Sequence, residues 1–72
     1  MNLLALQYFC EVARTESITQ SAENLMISQP SLSRTIIQLE KELGVQLFER
    51  IGRHLKLTTT GLHYYAKVSQ AL

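Results

Sequence analysis

The stretch that most limits what this chain can fold into is residues 28–44, SQPSLSRTIIQLEKELG, which carries a start, a stop and two unlike faces for one helix. The Ser28 hydroxyl can accept from the unpaired N–H groups of a first turn. Pro30 fits that same turn, where a missing N–H leaves no hydrogen bond unmade. Gly44 can take the left-handed conformation that closes a helix, with Val45 following for the accompanying apolar contact. Leu32, Ile36, Leu39 and Leu43 fall at helical spacing and form a single apolar stripe, which requires a core to press on. The opposite face opens with Gln29, Ser33 and Arg34, with Pro30 beside them. These groups can meet base edges or phosphates, and no acid sits among them. Further along, Glu40, Lys41 and Glu42 read as an ordinary solvated face. The helix is therefore expected to be a reading head.

A chain of 72 residues suits one small domain, which buries only about 60% of its unfolded surface. Hydrophobic residues at 46% and charged residues at 18% indicate a globular chain. No apolar run approaches the roughly 20 residues that span a membrane. Met1 to Phe9 lacks the basic start and cleavage site of a secretory leader. The single Cys10 can make no internal disulfide, which fits a reducing cytoplasm, the expected location. Net charge is only +1, but it is unevenly placed. Residues 1–27 hold Arg14 against Glu11, Glu16 and Glu23. Residues 28–72 hold Arg34, Lys41, Arg50, Arg53, Lys56 and Lys67 against Glu40, Glu42 and Glu49, and no acid follows Glu49. A basic second half suits an anionic partner.

Leu3 to Arg14 reads as a first helix, with Gln7, Glu11 and Arg14 outward and Leu6, Phe9, Cys10 and Ala13 inward. Cys10 is expected to act as a small buried hydrophobe. Ser17-Ile18-Thr19-Gln20 matches a reciprocal cap in which the Ser and Gln side chains satisfy each other's backbone donors. It opens a short second helix with Ile18, Ala22 and Leu25 inward. The small Ser21 and Ala22 allow a close crossing. Met26 and Ile27 then connect tightly to Ser28. Two helices so joined, the second presenting polar side chains at its N-terminus, make a helix-turn-helix over about residues 18–37.

After Gly44 the period changes to that of strands. Phe48–Ile51 and His54–Leu57 flank Gly52-Arg53, with Leu55 and Leu57 alternating against His54 and Lys56. This is a two-stranded wing over about 47–57 with a basic tip, and an arginine there can reach a narrow minor groove. Thr58 caps a final helix whose Gly61, Leu62, Tyr65, Val68 and Leu72 form an apolar seam. With no stop signal before Leu72, the chain reads as cut in mid-helix. The fold class is thus mainly α: a winged helix-turn-helix with a three-helix core and two-stranded β wing (1–58), then the start of a linker helix (59–72).

Catalysis is not expected. His54 and His63 have only Cys10 as another soft ligand, and the spacing matches no zinc site. The serines cluster at helix starts, where capping explains them. Three scattered glycines make no phosphate loop. No cofactor is expected. A winged helix serving only protein contacts is the stronger rival, but it has no need of Gln29, Ser33, Arg34 and Arg53 together.

The order SQPSLSxxIxxLExxLGxxLFxR followed by LTxxG, with Phe9, Val12-Ala13, Ser17-Ile18-Thr19, Ala22 and Leu25 ahead of it, resembles the N-terminal domain of LysR-type transcriptional regulators. The likeness runs over nearly the whole chain without gaps. It implies a bacterial regulator that binds a dyad operator in double-stranded DNA as a dimer or tetramer. Pairing would run through the linker helix and be weak in a chain of this length. It also implies a small-molecule inducer bound by a C-terminal domain expected to lie outside this chain. Position by position, it implies DNA contacts from Ser28, Gln29, Pro30, Ser31, Ser33, Arg34 and Arg50, and minor-groove entry by Arg53. Gln20 and Ile37 stand where the family often has Arg or Lys, and Ser21 where Ala is usual, while Ile51 and His54 alter the wing tip. Fewer phosphate contacts than in a typical member are expected.

Overall fold

The computed structural model describes residues 2–52 and 54–71. Four helices and one antiparallel pair of strands follow the order α1 (Leu3–Thr15), α2 (Ile18–Leu25), α3 (Gln29–Leu43), β1 (Phe48–Ile51), β2 (His54–Leu57) and α4 (Thr59–Ala71). Helix α1 begins where the Ala5 N–H donates to Asn2 Oδ1 at 2.8 Å, a cap not anticipated from the sequence. It ends with Glu16 in the left-handed region, φ 55°. The turn into α3 is closed in the same way by Met26, φ 59°, whose side chain stays 86% exposed. A non-glycine residue there costs on the order of 1 kcal/mol.

The Ser17 cap forms only in part. Its Oγ accepts from the Gln20 N–H at 3.1 Å, as expected. The return arm is absent, because Gln20 Nε2 donates to Asn24 Oδ1 at 2.9 Å. The Ser17 N–H donates instead to Thr15 Oγ1 at 3.1 Å. Thr15 lies two residues away on a short, stiff side chain, whereas Gln20 would have to order three torsions to reach back. The same Thr15 hydroxyl lies 2.6 Å from the Oγ of Ser21, the one buried polar side chain among the described residues. Ser21 is therefore tolerated at the helix crossing because its hydroxyl has a partner.

Helix α3 matches its expected limits. Ser28 Oγ accepts from the Ser31 N–H at 3.2 Å. Gly44 sits at φ 70°, and its N–H and that of Val45 both donate to the Glu40 carbonyl, at 2.8 and 3.2 Å. Leu32, Ile36 and Leu39 are buried. Glu40 departs from the solvated reading: its Oε2 accepts from the N–H groups of Leu47 (2.7 Å) and Phe48 (3.3 Å). Those donors head a strand with no neighbour on that side, so an acid one turn before the helix end supplies what the sheet cannot.

The core gathers around Phe9, whose ring meets Phe48 of β1 at 5.6 Å and Tyr65 of α4 edge-on at 6.3 Å. Val12, not placed in the inward stripe of α1 from the sequence, is fully buried, as are Leu32, Leu39 and Leu47. Each such side chain contributes about 1.5–3 kcal/mol of transfer free energy. Cys10 is half-buried against this core, and burial pushes its thiol pKa up, as suits an unreactive filler. On the outer face Glu11 accepts from Arg14 and from Asn24 of α2, and these two hydrogen bonds, Arg14's first, hold its carboxyl below the ordinary carboxylate range.

The seam of α4 is divided. Gly61 is buried and Tyr65 packs inward with Tyr64, while Leu62 is 59% exposed. Leu62 lies about 100° around the helix from Gly61, off the row that faces α1. Leu72 lies outside the described residues. The expected Thr58 cap is made: the Gly61 N–H donates to Thr58 Oγ1 at 2.9 Å. Gly61 is required for close approach, since a Cβ there would overlap the Leu47 carbonyl. We expect Gly61→Ala to lower stability by about 1–3 kcal/mol through overpacking, despite the gain of up to about 1 kcal/mol that Ala brings to a helix interior. Urea unfolding checks this, and an unchanged or raised midpoint would mean that α4 does not seat on Leu47.

Candidate nucleic-acid interface

Helix α3 is held by its buried stripe, so its first two turns can remain outside the core. Gln29, Pro30 and Arg34 are exposed and Ser33 is half-buried. None of the Gln29, Ser33 or Arg34 side chains has a hydrogen-bond or ion-pair partner among the described residues. Ser28 and Ser31 differ from them. The Ser28 hydroxyl donates to Ser31 Oγ at 2.9 Å while capping the helix, so both hydroxyls are engaged in shaping the entry to α3.

The two expected strands pair antiparallel, with Phe48 opposite Leu57 and Ile51 opposite His54. Its inner residues anchor it: Phe48 and Leu55 are buried and Leu57 is half-buried. A hydrogen bond from the Leu55 N–H to the Glu16 carbonyl at 3.3 Å ties β2 to the end of α1. Arg50 stands across the ladder from Leu55 and is exposed, like His54 and Lys56. Arg53 lies outside the described residues.

These elements meet in a cleft of about 220 Å³ lined by Gln29 and Ser33 of α3, Arg50 and Leu55 of the wing, and Ser17, Ile18 and Thr19 at the start of α2. Three of the expected site residues, Gln29, Ser33 and Arg50, thus share one concave surface. Arg34 does not join them: it lines a separate groove with Ile37, Gln38 and Lys41, on the side of α3 toward Leu4. Thr19 was read only as part of a cap, yet it is exposed beside the reading turns. The signal lay in its place on the first turn of α2, where N–H groups that the helix itself cannot use also point outward. Such a surface offers an amide, hydroxyls, helix-end N–H donors and a guanidinium, a donor-rich set suited to phosphate oxygens and base edges. Among the described residues no three His, Cys, Asp or Glu side chains group to hold a metal ion, and no helix is long and apolar enough to cross a membrane.

Known proteins share this sequence and fold. The chain is 48% identical over 65 residues to the HTH-type transcriptional regulator BenM of Acinetobacter baylyi, covering 90% of this chain and 21% of that protein. It is 43% identical over 75 residues to the RuBisCO operon transcriptional regulator of Allochromatium vinosum, covering all of this chain and 25% of that one. It therefore spans a quarter or less of these relatives' length. Among solved structures, it superposes on the chain of a BenM_DBD/catB site 1 DNA complex with a TM-score of 0.94 at 44% identity, over 99% of this chain and 76% of the other. A CbnR_DBD–DNA complex gives a TM-score of 0.93 at 34% identity, over 99% and 82%. The family model for bacterial regulatory helix-turn-helix proteins of the lysR family matches residues 3–62, and the chain belongs to that family.

Proposed function

We propose that this chain is the sequence-specific DNA-binding domain of a bacterial LysR-type transcriptional regulator, acting in the cytoplasm on a dyad operator and catalysing no reaction. The observation that carries the reading is a core-locked helix whose Gln29, Ser33 and Arg34 side chains have no partner among the described residues, framed by Arg50 of the wing. Likeness to domains solved with DNA supports it. In this reading α3 enters the major groove. Gln29 bonds an adenine edge through N6 and N7, and Arg34 reaches a guanine edge or a phosphate. Ser33 adds a hydroxyl, and Pro30 gives an apolar contact. Ser28 and Ser31 set the angle of entry where the helix start meets the backbone. Arg50 neutralises a phosphate, and Arg53 enters the flanking minor groove.

Residues 59–72 serve in this reading as the start of a linker helix that pairs with a second copy. Exposed Leu62 lies on that helix. Pairing would place two reading heads about 34–36 Å apart, one DNA turn, or a multiple of it. A small-molecule inducer would act through a C-terminal domain outside this chain, which spans a quarter or less of the length of the BenM and RuBisCO operon regulators.

Gln29→Ala should cost about 1–3 kcal/mol on the preferred site and less on random DNA. Equal losses on both, in gel shifts with competitor DNA, would mean that Gln29 does not read sequence. Arg50→Ala and Arg53→Ala should each flatten the dependence of log affinity on log salt by about 0.9, one phosphate contact. An unchanged slope would place that side chain in solvent. Sedimentation should give mostly monomer for the free chain and two copies per full dyad duplex. A strict one-to-one complex at saturating protein would exclude the pairing.

A further inference from the structure

Ile37 is an apolar side chain on a polar face. It follows the buried Ile36 directly, yet it is 50% exposed and lies outside the group of side chains packed into the core. Its position on α3 is set by helix geometry. It stands seven residues beyond Pro30, four beyond Ser33 and three beyond Arg34, so it occupies the next turn of the stripe that those three begin. Lys41 follows one turn later, and no acid interrupts the sequence of positions 30, 33, 34, 37 and 41. Two grooves flank it. Ser33, Arg50 and Glu40 line one and Arg34, Lys41 and Glu42 the other, the Glu40 carboxylate being turned to the Leu47 and Phe48 N–H groups, and Ile37 borders both, forming the ridge between them.

A ridge between two cation-bearing grooves, on a helix read as entering the major groove, is placed to meet a base edge while its flanks meet phosphates. Resting on that reading of α3, we propose that Ile37 is a specificity-determining residue that selects thymine by packing on its 5-methyl group. The major-groove edges of the bases present donors and acceptors throughout, and the thymine methyl is their one apolar group. An isoleucine can offer nothing to cytosine N4 or guanine O6, and it would strip water from them without replacing a hydrogen bond. Against thymine it buries one methyl, which corresponds to about fourfold in affinity. The exposed Leu4 lines the Arg34 side of the same ridge. An apolar dock for another protein is therefore the competing use of Ile37.

The test is selection of duplexes from a randomised pool by this protein and by its Ile37→Ala and Ile37→Arg variants, with folding confirmed by circular dichroism. Affinities are then measured on the selected duplex with thymine replaced, one position at a time, by deoxyuridine, which lacks only the methyl. The expected result is one thymine position, three to four base pairs from the adenine lost with Gln29→Ala, at which deoxyuridine costs the parent protein about fourfold. The same replacement should cost Ile37→Ala nothing, and Ile37→Arg should no longer select thymine there. An enriched sequence whose thymine preferences and deoxyuridine losses are the same in parent and variants would overturn the inference alone, leaving Ile37 to a protein dock. A pool that yields no enriched sequence would overturn both the inference and the DNA-reading function beneath it.

Discussion

Leu47 is the joint through which helix α3, the wing and α4 are held in one arrangement. Its N–H donates to the Glu40 carboxylate at 2.7 Å, which fixes the start of β1 to the last turn of α3. Its carbonyl accepts from the Thr58 N–H at 3.0 Å, so the exit of β2 is tied to the entry of β1. Gly61 of α4 lies directly against that same carbonyl, and the Leu47 side chain is fully buried. A buried peptide group needs both of its hydrogen bonds made. Because the two partners come from different elements, the requirement also sets where those elements go.

The wing's position relative to α3 decides what the candidate interface is. Arg50 can share a cleft with Gln29 and Ser33 only because β1 leaves Leu47 in a fixed direction and Phe48 is held against the ring of Phe9. Thr58 reinforces this from the other end, its hydroxyl donating to the Gln46 carbonyl at 2.6 Å while capping α4. A domain of this size has little buried area to draw on. Polar ties at the helix ends therefore set orientation, and a single aromatic cluster joins α1, the wing and α4.

The modest net charge bears on how such a domain would discriminate. Phosphate contacts raise affinity for all sequences alike, whereas base-edge contacts separate one site from another. The proposed reading face is rich in groups suited to edges, Gln29, Ser33 and Ile37, and carries cations chiefly at its borders, Arg34, Lys41 and Arg50. On that proposal, the balance would favour selectivity over general attraction to DNA and make binding less sensitive to salt than in a strongly basic domain.

Much of the architecture was legible in residue order because its signals are local. Ser28, Pro30 and Gly44 mark helix ends through backbone geometry within a few residues of each. The alternation of Leu55 and Leu57 with His54 and Lys56 fixes a strand by its two faces, and Thr58 caps α4 with its own hydroxyl. Gln29, Pro30 and Arg34 are exposed as read, since a helix with one apolar stripe must turn its other side outward. What only the tertiary structure decided involves partners far apart in the chain. Glu40 leaves the solvated face to serve Leu47 and Phe48, and Arg50 meets Ser33 across a cleft, while Arg34 faces another groove. Tyr65 turns in to Phe9 while Leu62 stays out. Thr15 displaces Gln20 at the Ser17 cap, a local contest settled because its hydroxyl is also held beside buried Ser21. A side chain's spacing states which face of its own element it occupies. Which surface lies opposite that face depends on the packing of elements that sequence spacing does not encode.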